Sequence, residues 1–298
     1  MNIPFIKYRW LYYIFSGILI LASIFSLALY RLNFGIDFTG GSILEVEFKK
    51  ERISSEEIQN KLAGLDLGLS AIQPTGDRGV ILRMKDIDEN THQEILRRLN
   101  GEVEGKRFEF IGPTIGKELR RNTGIFTVLV LLVIITYVAL AFRKAAKPLV
   151  SWHYGIVAAL VAFFHDILIP LGFFSILGKL FGVQVTIPIV VGLLTILGYS
   201  VHDTIVVFDR IRENLLRKGG LAFEEIVNQS MNQTLGRSIN TSLTAIFVLF
   251  AIFFFGGETL RYFSLVLILG ISTGTYSSIF IASPILVDWF NRRQRRLT

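Results

Sequence analysis

No cysteine occurs in the 298 residues, so no disulfide can hold any part of the chain and each folded region must rest on its own packing. Charge is scarce too. Only 18% of residues are Asp, Glu, Lys or Arg, against roughly a quarter in an average soluble protein, while 51% are hydrophobic. The four histidines stand in no cluster of metal ligands, and no nucleophile motif accompanies them. These shortages exclude a disulfide scaffold, a metal centre and an ordinary soluble enzyme. What fills the space is apolar: the mean hydropathy is +0.52.

Six apolar runs are long enough to cross a hydrocarbon core of about 30 Å as helices. They lie near 10–30, 123–142, 150–176, 185–208, 239–256 and 262–288. The first follows Lys7 and Arg9, is too long for a signal-peptide core and has no small-residue cleavage site behind it, which reads as an uncleaved anchor. With that end inside, fourteen Lys and Arg fall on one membrane side: Lys7, Arg9, Arg143, Lys144, Lys147, Arg210, Arg212, Arg217, Lys218, Arg237, Arg292, Arg293, Arg295 and Arg296. Only Lys179 and Arg261 stand in the two short loops opposite. Lys117, Arg120 and Arg121 run against the pattern, but they follow a long translocated segment, where the positive-inside rule is weak. Both termini are thus expected in the cytoplasm. The net charge of +7 belongs to this asymmetry, and a nucleic-acid partner is not expected.

The expected organisation is a tail and first helix at 1–30, an extracytoplasmic domain at 31–122, a bundle of helices two to six at 123–290 with a cytoplasmic loop at 209–238, and a basic tail at 291–298. In the outer domain, SILEVEF at 42–48 alternates as a half-buried strand does, and Ser54 with Glu57 forms a capping box that opens a helix to about Leu62. Strands are expected at 69–73 and 80–84, a helix at 89–99 and a last strand at 108–111. The order βαββαβ is that of an α+β ferredoxin-like domain. FGIDFTGG at 34–41 joins it to the first helix; Asp37, Gly40 and Gly41 make this stretch either a tight connector or a hinge, the connector being favoured.

Polar residues inside the membrane runs are the functional leads, because a carboxylate in hydrocarbon costs on the order of 3 kcal/mol on insertion scales. Asp203 is the sharpest of them. Helical spacing places Thr195, Tyr199, His202 and Asp203 along one face of the fourth helix, and Arg237, Asn240, Thr241 and Thr244 along one face of the fifth. The two stripes are expected to face each other, bringing Arg237 toward Asp203. His165 and Asp166 stand in the third helix; counting from its inner end near Val150 puts Asp166 about 15 Å nearer the outer face than Asp203. That separation disfavours an intramembrane protease built on two touching aspartates. The stretch 210–237 reads as an amphipathic helix at the inner surface, and Gly270 with Gly274 as a close-packing face.

GYSVHDTIVVFDRIREN at 198–214, FGIDFTGG at 34–41, TLGRSINTS at 234–242 and FGGETLRYFSLVLILGISTGTYSS at 255–278 together resemble the SecF family of bacterial protein-export membrane subunits, in order and spacing over nearly the whole chain. The resemblance implies an α-helical six-helix bundle, half of an RND-type transporter, carrying the small ferredoxin-like domain outside the inner membrane. It implies a SecD-like partner, the SecYEG channel, an unfolded polypeptide in transit, the lipid membrane, no cofactor beyond a coupling proton, and a translocase accessory rather than an enzyme. It further implies that Asp203 and Arg237 are proton-pathway residues, with His202, Asp166 and His165 as weaker candidates and Tyr199, Asn240, Thr241 and Thr244 in support. Members of the family usually carry Asn where this chain has His202, so Na+ coupling stays open. A passive assembly scaffold and half of a small-molecule transporter are the alternative functions.

Overall fold

A computed structural model describes residues 3–69, 71–99, 103–142, 151–217 and 221–295; the basic residues Arg143, Lys144, Lys147, Lys218 and Arg296 and the expected helix start at Val150 lie outside them. Its chain forms two compact units. One comprises residues 33–125 and 182–186; the other comprises 1–32, 126–181 and 187–298.

The first unit is built on four strands, β1 (Gly41–Phe48), β2 (Ala71–Thr75), β3 (Gly79–Met84) and β4 (Val103–Ile111), in the antiparallel order β2-β3-β1-β4. This is the ferredoxin-like arrangement. Its helices, α2 (Ser55–Lys61) and α3 (Glu89–Arg98), begin where their caps dictate: Ser54 Oγ accepts from the Glu57 N–H at 3.1 Å and Asp88 Oδ1 from the Thr91 N–H at 2.9 Å. Alternate residues Leu44, Val46 and Phe48 of β1 pack with Leu82, Ile58 and Ile95 into one core. Strand β4 extends five residues earlier than the sequence indicated, because its first half carries Glu104, Gly105, Lys106 and Arg107 and shows no apolar alternation. Pairing with β1, across a register shift at Glu45/Val46, defines it instead. Residues 182–186, where the end of an outer loop and the start of the fourth apolar run near 185 were expected, join this unit through a bridge between Phe34 and Val185.

FGIDFTGG forms one helical turn, Ile36–Thr39, and then two glycines at φ +74° and +128°. A Cβ on Gly40 would lie 2.8 Å from Pro113 Cα, and one on Gly41 2.6 Å from the Met84 carbonyl oxygen. Both conformation and close approach therefore demand glycine at this joint.

In the second unit, α1 (Arg9–Tyr30), α4 (Pro113–Ala141, which begins in the first unit), α5 (151–181), α6 (Ile187–Arg217), α7 (Phe223–Phe255) and α8 (258–295) supply, among the described residues, six helices long and apolar enough to cross a membrane. Helix α5 runs on through Ser151–Val161, a π segment at Ala162–Ile167 and Leu168–Phe181. Helix α8 does likewise through Glu258–Ser277, a π segment at Ser278–Ala282 and Ser283–Arg295. Proline accounts for both wide turns. Pro170 and Pro284 cannot bond the carbonyls four residues back, at Asp166 and Phe280, and the chain widens there. Among the described residues of 210–237 there is no separate surface helix: α6 runs on to Arg217 and α7 starts at Phe223, and the two are held together by Asn214 Nδ2 to Ser230 Oγ and to Gln233 Oε1, both at 2.8 Å. Gly270 lets α8 lie directly on α6, since a Cβ there would meet Ile196 at 2.1 Å.

Candidate functional site: the polar interior of the helix bundle

The most enclosed titratable pair in the bundle is not the one the stripes favoured. Asp166 is 0% exposed and His165 2%. The Asp166 carboxylate meets His165 Nδ1 at 2.8 Å through Oδ1, and its Oδ2 accepts from Ser277 Oγ at 2.8 Å and from Ser200 Oγ. Ser16 Oγ of α1 lies 3.0 Å from His165 Nε2, and the Tyr276 ring stacks on the imidazole with centroids 5.8 Å apart. One carboxylate and its neighbour thus tie α1, α5, α6 and α8 together. The π segments flank the cluster: Asp166 lies within one, and Ser278, which opens the other, donates to the Ser200 carbonyl at 3.1 Å.

This corrects the depth estimate for Asp166. Its partner Ser200 is three residues from Asp203, about 4.5 Å along α6, so the two aspartates occupy similar levels rather than levels 15 Å apart. Counting from presumed membrane boundaries failed because α6 runs on to Arg217, well past the boundary from which Asp203 was counted. The carboxylates nevertheless face different neighbours, as Asp203 sits beside Ser238 of α7 and Thr275 of α8. Asp203 is 6% exposed, and its Oδ2 has no hydrogen-bond partner among the described residues; nor has Ser238 Oγ.

The expected stripe on α7 is turned away from Asp203. Arg237, Asn240, Thr241 and Thr244 are exposed, and Arg237 makes no ion pair among the described residues. The residues that face inward are the neighbouring Ser238 and Ser242, the latter bonded to Thr275 Oγ1 at 2.5 Å. On α6, Thr195 and His202 are likewise exposed and Tyr199 is half-buried, while Ser200, Asp203 and Thr204 point in. A stripe drawn through the most polar residues misses this face, because serine and threonine hydroxyls bury at little cost by bonding backbone one turn back, as Thr204 does to the Ser200 carbonyl at 3.0 Å. Arg237 thus stands on an exposed face of α7 beside Asn240 and Thr241, which suits a polar surface completed by another helix. The signal that could have found the inner cluster is on α1: Ser16, Ser23 and Ser26 fall on one helical face of an otherwise apolar run, and all three are buried.

Comparison with known proteins places these features. The model of the family described as protein export membrane protein SecD/SecF, C-terminal, matches residues 91–292, and the SecD/SecF GG motif matches residues 25–51. The chain belongs to the SecD/SecF family. Protein translocase subunit SecF of Thermobaculum terrenum is 43% identical over 97% of this chain and 95% of its own length. The SecF of Anaerolinea thermophila is 41% identical over 94% and 92%. The crystal structure of SecDF from Thermus thermophilus matches with a TM-score of 0.84 at 33% identity, covering 98% of this chain and 39% of that one. The chain therefore spans about two fifths of the SecDF polypeptide and nearly all of a separate SecF. The GG motif of the family is the glycine joint already described, with Gly40 and Gly41 in it. Membership makes this a membrane protein of the protein-transport machinery, built as a six-helix bundle with a ferredoxin-like domain.

Proposed function

We propose that the chain works with a SecD-like subunit to draw on the proton-motive force for protein translocation through SecYEG. The supporting observation is Asp203, a buried carboxyl with one oxygen unpartnered among the described residues, on the helix next to an exposed polar face of α7. The SecD-like subunit covers the exposed face of α6 and α7, where His202, Arg237, Asn240, Thr241 and Thr244 stand. There Arg237 approaches the Asp203 carboxyl in one state of the cycle and withdraws in another, so that a proton is taken up and released. His165 and Asp166 form a second proton-holding pair in the same bundle. A charge crossing 100 mV supplies about 2.3 kcal/mol, enough to bias a conformational equilibrium roughly fiftyfold. The domain at 33–125, on the extracytoplasmic side with both termini cytoplasmic, is the part that moves against the emerging polypeptide.

The test is translocation in vesicles containing this chain, its SecD-like partner and SecYEG, with an imposed membrane potential or pH gradient. Asp203→Asn keeps size and burial but removes the exchangeable proton. It should insert and assemble at wild-type levels and lose the gradient-dependent stimulation altogether. Near-normal stimulation by the Asn variant would leave a passive scaffold as the function. Replacing H+ by Na+ gradients in the same assay identifies the coupling ion.

A further inference from the structure

At the end of the bundle that carries both the start of α1 and the close of α8, a groove of about 730 Å³ opens between these two helices. Trp10 and Tyr13 line it from α1; Asp288, Trp289, Arg292 and Arg293 line it from α8, at spacings that keep them on one face. Its one carboxylate is already engaged, since Asp288 accepts from the Tyr13 hydroxyl at 2.9 Å and pairs with Arg9 at 3.1 Å. The guanidiniums of Arg292 and Arg293 are exposed and make no ion pair among the described residues. Two indoles frame them, and Trp10 is 65% exposed. Indole and guanidinium at the end of membrane helices are the groups that sit at the headgroup level.

The groove does not stop there. A second one, of about 320 Å³, shares Tyr13 and Ile285 with the first and continues along α1 past Gly17 and Ile20 to Phe164 and Ile281. Its walls are aliphatic and aromatic apart from Tyr13, Ser16 and His165, and Gly17 leaves room on α1 with nothing within 4 Å of a Cβ position. A polar mouth with two free cations thus leads into an apolar channel of the bundle, in the order of a phospholipid's own parts.

We infer that this groove is a binding site for one anionic phospholipid, its phosphate held by Arg292 and Arg293 between Trp10 and Trp289 and one acyl chain lying along α1. Guanidinium forks match phosphate oxygens in pairs, which fixes the headgroup. The acyl chain ends beside His165. The site is separate from the exposed polar face of α6 and α7 and does not rest on the proposed function.

Quenching of tryptophan fluorescence by brominated lipids tests the assignment on the full chain in vesicles. Trp152→Phe removes the third tryptophan and leaves Trp10 and Trp289 as reporters. Brominated phosphatidylglycerol, diluted in phosphatidylcholine, should quench them at a mole fraction on the order of tenfold lower than brominated phosphatidylcholine does, from two basic contacts near the headgroup. Arg292→Gln with Arg293→Gln should abolish that preference, and Arg292→Lys with Arg293→Lys should keep most of it. Equal quenching by the two lipids in the otherwise native chain, which needs no arginine variant, would overturn the assignment; so would a preference unchanged in the Gln pair. Inorganic phosphate added to phosphatidylcholine vesicles should leave the fluorescence unchanged, and a response that vanishes in the Gln pair would reassign the groove to a free anion.

Discussion

Both units bury apolar side chains, but they differ in what they expose and in which polar groups they enclose. In the sheet unit Leu44, Leu82 and Ile95 are fully enclosed while charges pair on the outside, as Lys106 does with Glu47 at 3.3 Å and Arg98 with Glu94 at 3.1 Å. In the helix unit Phe247 and Phe254 are 66% and 69% exposed, and the interior holds Asp166, Ser200, Ser277, Ser278 and Ser283, each at 0 or 1%. One rule governs both, namely that each group goes where its alternative partner is poorest. Water is a poor partner for leucine, and lipid is a poor partner for a carboxylate. The difference lies in what gives each unit its specificity: side-chain volume in the sheet unit, and close backbone approach with hydroxyl donors in the bundle.

The most severe way to break that contrast is to add volume where the bundle relies on having none. Gly270→Leu should separate α8 from α6, because even a Cβ meets Ile196 at 2.1 Å, and the protein should fail to accumulate in membranes as judged by immunoblot. Removing volume from the sheet unit comes next. Leu82→Ala should cost about 2–5 kcal/mol and raise amide exchange throughout β1 and β3 while leaving the helices protected. A hydroxyl in the bundle counts for less. Ser277→Ala removes one of the two hydroxyl donors to Asp166 Oδ2 and should lower stability by roughly 0.6 kcal/mol in a bilayer unfolding assay, since membrane hydrogen bonds average near that value.

The smallest effect sharpens the comparison through pH. Hydrogen bonds from Thr91 hold the exposed Asp88 carboxyl below its usual range at the start of α3. A folded value lowered relative to the unfolded chain gives stability that is fully present above the unfolded value, near 4, and lost as pH falls through the folded one. Exchange of the first α3 amides should therefore quicken, relative to intrinsic rates, only below about pH 4, and Asp88→Asn should remove that dependence while keeping the cap.

Much of the sheet unit was legible because its signals are local. The capping box at Ser54, the alternation at 42–48 and the turn glycines near Gly76 each specify their own neighbourhood, and the topology follows from their order. The half of β4 that escaped has no signal of its own and exists through its partner strand. In the bundle, run length and basic residues marked the helices but not their facing, since a helix apolar all round has no moment to orient it. Asp203 stood out because it is ionisable. The importance of Asp166 did not, since its enclosure depends on two serines, Ser200 and Ser277, and on His165, itself held by Ser16, with the three serines on helices far apart in sequence. Arg237 was read as an inward residue of this chain, although its exposure fits a role met only in a larger assembly.

The π segments have a consequence for any helical-wheel drawing of this molecule. Each wide turn admits one residue more than an α turn, so the angular phase of everything before it slips by about 100° against everything after it. A wheel fitted to Leu168–Phe181 and extended backward assigns Ser151–Val161 to the wrong azimuth, and one fitted to Glu258–Ser277 does the same to Ser283–Arg295. Deleting a single residue from Ala162–Ile167 would restore the simple count, yet it would swing the start of α5 by more than a quarter turn against α6. In α5 and α8 the azimuth of a side chain must be counted separately on each side of its wide turn.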